Sequence, residues 1–132
     1  MALSKSVVSP PQLENRIWDP AETMPRDQLR ALQIHRLRET VAHAMRVPFY
    51  QQAFQKTGIT PGAIRTLEDL RRLPFTVKND LREHYPLGLL AVPRTQIARI
   101  HGSTGTTGKP TFVAYTYKDL QTWADLCARF LV

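Results

Sequence analysis

The segment Ser103-Thr-Gly-Thr-Thr-Gly-Lys-Pro-Thr111 constrains this chain more than any other stretch. Gly102, Gly105 and Gly108 recur at every third position, and glycine permits the tight turns that place successive backbone N–H groups on one inner side. The flanking runs, Gln96-Ile-Ala-Arg-Ile100 and Thr111-Phe-Val-Ala-Tyr-Thr116, alternate and are rich in β-branched residues, which predicts a strand on each side. Ser103, Thr104, Thr106 and Thr107 add hydroxyl donors and Lys109 adds a point charge. Together these are the resources of a phosphate cradle. A flexible Gly/Ser/Thr linker has a similar composition, but such linkers rarely lie between two β-like runs or end in Lys-Pro.

Two well-known phosphate loops are excluded by spacing. A Walker A loop needs Gly, four residues, then Gly-Lys-Ser/Thr. Here Pro110 follows Gly108-Lys109, and Ser103 stands where the first glycine belongs. A dinucleotide fingerprint needs a different glycine spacing and a strand leading into a helix; Pro110 points to a strand instead.

The rest of the chain reads as helical. Residues 1–24 form an irregular arm, broken by Pro10-Pro11 and Asp19-Pro20, with Ile17 and Trp18 able to dock on a core. Leu29, Leu32, Leu37, Val41, Ala44 and Met45 recur at helical steps between Pro25 and Arg46. Val47-Pro48 ends that helix. A shorter one follows from Phe49 to Lys56, stopped by Thr57-Gly58. Thr66 and Asp69 have the spacing of a capping pair for a short helix ahead of Pro74, and another opens at Val77. A final helix begins near Lys118 with Leu120, Trp123, Ala124, Cys127, Phe130 and Leu131 on one side. The expected organisation is an arm (1–24), a helical region (25–94) and a strand–loop–strand–helix segment (95–132). The fold class is α/β: a helical layer, then the first strands of a larger, incomplete sheet.

Charge narrows the partners. The net charge of +7 invites a nucleic-acid reading. However, the basic residues are scattered, often beside acids as in Arg36-Leu-Arg-Glu39, with no basic run and no interleaved aromatics. No nucleic-acid partner is expected. No apolar stretch is long enough to span a membrane, and residues 1–11 lack a signal-peptide pattern, so a cytoplasmic location is expected. His35, His43, His84 and His101 make no metal-ligand spacing, and one cysteine cannot complete a zinc site. His101, beside the loop, reads as structural. Cys127 is expected to be buried on the apolar side of the last helix, and Trp18, Phe49, Tyr50, Phe54 and Phe75 to lie in the core.

The glycine-rich segment resembles the ATP-phosphate loop of the adenylate-forming acyl-CoA synthetase superfamily, whose pattern is Ser/Thr-Ser-Gly-Thr-Thr-Gly-x-Pro; Thr104 replaces the commoner serine. Its surroundings resemble one branch, the phenylacetate–CoA ligases: Val47-Pro-Phe-Tyr50, Leu73-Pro-Phe-Thr-Val-Lys-Asn-Asp-Leu-Arg82, Tyr85-Pro-Leu-Gly-Leu-Leu-Ala-Val-Pro93, Arg99-Ile-His-Gly102 and Tyr115-Thr-x-x-Asp-Leu120 with Trp123. The likeness runs from about Trp18 onward.

This resemblance implies a two-step reaction. An aryl carboxylate attacks the α-phosphate of Mg-ATP to give an acyl adenylate and pyrophosphate, and the thiol of coenzyme A then displaces AMP. It implies ATP, Mg2+ and coenzyme A as substrates and cofactor, and Ser103, Thr104, Gly105, Thr106, Thr107, Gly108 and Lys109 as the grip on the β- and γ-phosphates. In such enzymes the catalytic lysine, the magnesium-binding acid and the adenine and aryl pockets lie further along, so no catalytic or metal-binding residue is expected in this chain. The expectation is therefore an N-terminal piece of an aryl-acid CoA ligase, inactive alone and able to form homo-oligomers through its open sheet edge and uncovered last helix. The competing expectation is a non-catalytic module that binds phosphate ligands or a protein partner.

Overall fold

In a computed structural model of the 132-residue chain, residues 17–104 and 110–131 are described. They form α1 (Arg26–Ala44), α2 (Pro48–Thr57), α3 (Lys78–Glu83), β1 (Ile97–Gly102), β2 (Phe112–Thr116) and α4 (Tyr117–Leu131), with short 3₁₀ turns between them. The class is mixed α/β, helices first and then a two-stranded antiparallel sheet.

The helical layer has a small apolar core. Val41 from α1, Phe54 from α2, and Ile59 and Ile64 from the chain after α2 are buried together, with Leu37, Ala44, Met45, Tyr50 and Leu73 packed around them. The apolar stripe of α1 is therefore used mainly in its C-terminal half; Leu29 and Leu32 are only half-buried. Val47, also buried, holds the α1–α2 corner in extended geometry ahead of Pro48, as the residue before a proline prefers. Gly58 closes α2 with φ of 65°, a left-handed position suited to glycine. The carbonyl of buried Ile64 accepts a 2.7 Å bond from Arg38 Nε on α1. This bond ties the 3₁₀ segment to the first helix across 26 residues.

Capping residues start the short elements. The Asp69 carboxylate accepts from the backbone N–H groups of Thr66 at 3.0 Å and Arg65 at 2.8 Å, and from Arg72 at 3.1 Å. The Thr66 amide, then that of Arg65, then the Arg72 guanidinium draw its pKa from the usual 3.8 to about 2. The ionised form is thus favoured by the fold. Its stabilisation is complete above about pH 3.8 and is lost as pH falls towards 2. Asp69→Asn is expected to melt at a lower temperature than the native chain at pH 6, and the gap between them should close near pH 2 when both are followed by far-UV circular dichroism. Asp80 repeats the device at α3, accepting from the Val77 amide at 2.7 Å. At α4, Thr116 and Asp119 cap reciprocally: the Thr116 amide donates to Asp119 Oδ2 at 2.8 Å, and the Asp119 amide donates to Thr116 Oγ1 at 3.2 Å. The helix therefore starts directly from the last residue of β2.

Three packing expectations fail. Phe75 is 94% exposed rather than in the core, and Trp18 and Ile17 are also exposed. Phe75 follows Pro74 in an extended connection between a 3₁₀ turn and α3, with no apolar layer above it. Trp18 and Ile17 precede the first 3₁₀ turn rather than entering the core. Cys127 is exposed as well: it lies on the apolar side of α4, but Phe130 and Leu131 on that helix are 88% and 80% exposed, so no part of the described chain covers the C-terminal half of that side.

Candidate functional site

The glycine-rich segment connects β1 to β2, and its described residues are 103, 104, 110 and 111. The strands pair Gly102 with Phe112, His101 with Val113, Ile100 with Ala114 and Arg99 with Tyr115, with an irregularity between Ile97 and Arg99. Successive side chains point to opposite faces of the hairpin, and each face meets a different neighbour. On one face His101 packs edge-on against Tyr115 at 5.1 Å and against Trp123 of α4 at 5.5 Å; Tyr115 and Trp123 stack at 5.7 Å. His101 thus joins the hairpin to α4. On the other face the Phe112 ring meets Tyr85 at 5.5 Å. A cleft of about 210 Å³ runs there between the helical layer and the hairpin, lined by Tyr50, His84, Leu87, Phe112 and Ala114 among others.

The neck of the loop is fixed from both sides. The Ser103 N–H donates to the Thr111 carbonyl at 2.9 Å, the Thr111 N–H donates to Ser103 Oγ at 3.0 Å, and the two hydroxyls bond to each other at 2.9 Å. Immediately below, the Phe112 ring covers Gly102 so closely that a methyl group there would stand 2.6 Å from the ring edge. Gly102→Ala is therefore expected to push the ring off its place and break its contact with Tyr85, at about 1–3 kcal/mol of stability. Thermal unfolding of the variant checks this, and loss of a Tyr85–Phe112 cross-peak in proton NMR locates it.

Of the residues the sequence nominates, Ser103 and Thr104 are exposed at the hairpin mouth, and Ser103 is engaged in the neck. Gly105, Thr106, Thr107, Gly108 and Lys109 lie outside the described residues. Sequence reasoning overlooked the parts played by Thr111, Phe112 and Tyr85. The signal for Phe112 was its place beside a glycine across the hairpin, where an aromatic ring often fills the missing side chain. Among the described residues no group of three or more His, Cys, Asp or Glu could hold a metal ion, and no helix is long and apolar enough to cross a membrane.

No protein-family model matches the sequence. Curated proteins do. The chain is 56% identical over 111 residues to a phenylacetate–coenzyme A ligase of Thermus thermophilus, covering 83% of this chain and 25% of that one. It is 52% identical to the Aromatoleum evansii ligase of the same name, covering 84% and 26%, and 48% identical to that of Escherichia coli K12, covering 90% and 28%. Over most of its length the chain is similar to phenylacetate–coenzyme A ligases. It spans about a quarter of the length of these relatives. Solved structures agree in fold. A 2-hydroxyisobutyryl-CoA ligase in complex with 2-HIB-AMP and CoA superposes with a TM-score of 0.74 at 33% identity, covering 84% of this chain and 25% of that one. A second structure of that ligase, in the postadenylation state with R3-HIB-AMP, gives 0.76 at 30% identity over 98% of this chain and 28% of that one. The relatives named here are CoA ligases, and the helical layer with its hairpin superposes on a part of the solved ligase fold.

Proposed function

We propose that this chain carries the ATP-phosphate loop of an aryl-acid CoA ligase, with residues 103–109 holding the β- and γ-phosphates while an aryl carboxylate, phenylacetate in the first instance, attacks the α-phosphate. The observation that supports the reading is the pinning of Ser103 to Thr111 at the end of the β1–β2 pair, in a chain about half identical to phenylacetate–CoA ligases. Such pinning suits the task. Phosphate chemistry asks chiefly for positioning and neutralisation of charge, and the Ser103–Thr111 hydrogen bonds fix the two ends between which the segment runs. Thr106 and Thr107 supply the hydroxyls and Lys109 offsets charge on the departing pyrophosphate. Gly105 and Gly108 allow the turn, and Ser103 and Thr104 stand at its entrance.

In the same reading, 1–24 is an arm, 25–94 a helical region, and 95–132 the opening of the ATP-binding domain. Coenzyme A receives the acyl group in the second step, and Mg2+ accompanies ATP. The acyl-AMP and CoA complexes of 2-hydroxyisobutyryl-CoA ligase support the two-step scheme. A location in the cytoplasm and the capacity to self-associate belong to the same proposal.

The 132-residue chain by itself is expected to bind inorganic pyrophosphate yet fail to exchange labelled pyrophosphate into ATP with phenylacetate. Robust exchange would overturn the view that residues outside this chain are needed. Absence of pyrophosphate binding would overturn the loop assignment and favour a module with another task.

A further inference from the structure

We infer that Ser103 and Thr111 act as a single clasp that sets the opening of the phosphate loop, which makes Thr111 a positioning residue for the nucleotide. The inference rests on the phosphate-loop reading above and adds to it a residue outside the 103–109 grip. Three hydrogen bonds join the pair, two of them through the Ser103 hydroxyl oxygen. A serine hydroxyl has one proton and two lone pairs. Whichever of the two hydroxyls donates, at least two of the three bonding directions at Ser103 Oγ are committed to Thr111. Ser103 therefore cannot turn freely to follow a phosphate oxygen; its orientation is set by the residue across the hairpin.

The clasp sits on a firm base. One residue below it, Phe112 fills the space above Gly102, and its ring leans on Tyr85 from the turn after α3. On the opposite face His101 is held by Tyr115 and Trp123. Above these layers nothing but the Ser103–Thr111 pair joins the two strands among the described residues. The separation and direction of the two ends of the loop are consequently fixed at this pair. Opening it would leave residues 104 and 110, the described ends of the segment, without a fixed separation.

The test measures binding of inorganic pyrophosphate to the whole chain by titration calorimetry, with amide hydrogen exchange at Ser103 and Thr111 followed by NMR. Thr111→Val keeps the shape and removes the hydroxyl; Thr111→Ser restores it. Thr111→Val and Ser103→Ala are each expected to weaken binding about fivefold, the loss of roughly one hydrogen bond. The double variant should be no weaker than Ser103→Ala alone, which already removes both bonds at the Ser103 hydroxyl, and Thr111→Ser should bind as the native chain does. Circular dichroism confirms that each variant retains its helices. An unchanged affinity in Thr111→Val, or losses that multiply in the double variant, would overturn the clasp and leave Ser103 an independent ligand. Unprotected amides at both positions in a native chain that binds pyrophosphate would overturn the clasp alone. Protected amides in a native chain that does not bind pyrophosphate would overturn the phosphate reading, and the pair would then be only a staple of the hairpin.

Discussion

Replacing Ile64 with alanine is expected to cost about 2–5 kcal/mol, the usual range for truncating a fully buried aliphatic side chain. Ile64 has no exposed surface and meets Val41, Phe54 and Ile59. Few buried residues share the load in this core, and the stability of a domain this size is about 5–15 kcal/mol. One truncation therefore removes a large fraction of the total. The carbonyl of the same residue is the acceptor for Arg38, so any shift of the 3₁₀ segment into the cavity also lengthens that bond. Urea unfolding followed by circular dichroism checks the prediction. A midpoint shift equivalent to less than about 1 kcal/mol would mean that the cluster is not the seat of stability.

The second large effect concerns the loop. Changing Thr106, Thr107 and Lys109 together to alanine is expected to reduce affinity for inorganic pyrophosphate at least about a hundredfold. Hydrogen bonds to a charged group contribute about 1.5–3 kcal/mol each, and every 1.4 kcal/mol is tenfold. Calorimetry on the native and triple-substituted chains measures the change. The helical signal should be unaltered, since the helical core is built from α1, α2 and the segment after α2. A triple variant that binds as tightly as the native chain would remove the loop from the reading altogether.

Much of this architecture was legible in the sequence because it depends on neighbours along the chain. The stripe on α1, the glycine after α2, the Thr66–Asp69 spacing and the two alternating runs each produced the element they signal. The same holds for the place of the glycine-rich segment between two strands. What escaped was decided by residues far apart, or by what covers a face. Periodicity identifies the apolar side of α4 but not whether another layer meets it, so Cys127 was expected inside and lies outside. An aromatic residue after a proline, such as Phe75, carries no sign of the side it will take. Arg38 and Ile64 are 26 positions apart, and nothing local marks a guanidinium as the partner of a distant carbonyl. In the site, the hydroxyls were read as phosphate donors by composition; that Ser103 spends its oxygen on Thr111 emerged only from the pairing of the two strands.

The arrangement of partners has a further consequence for the order of assembly. α1 packs with the 3₁₀ turns that soon follow it, β1 with β2, and β2 with α4. Partners close in sequence meet quickly, because little chain entropy is lost in closing the loop between them. The helical layer can therefore condense before the hairpin exists, during synthesis that adds about 5–20 residues per second. The hairpin and α4 can then form as a second event. A lesion in the hairpin should leave the helical layer standing, so that loss of nucleotide binding and loss of the fold become separable failures.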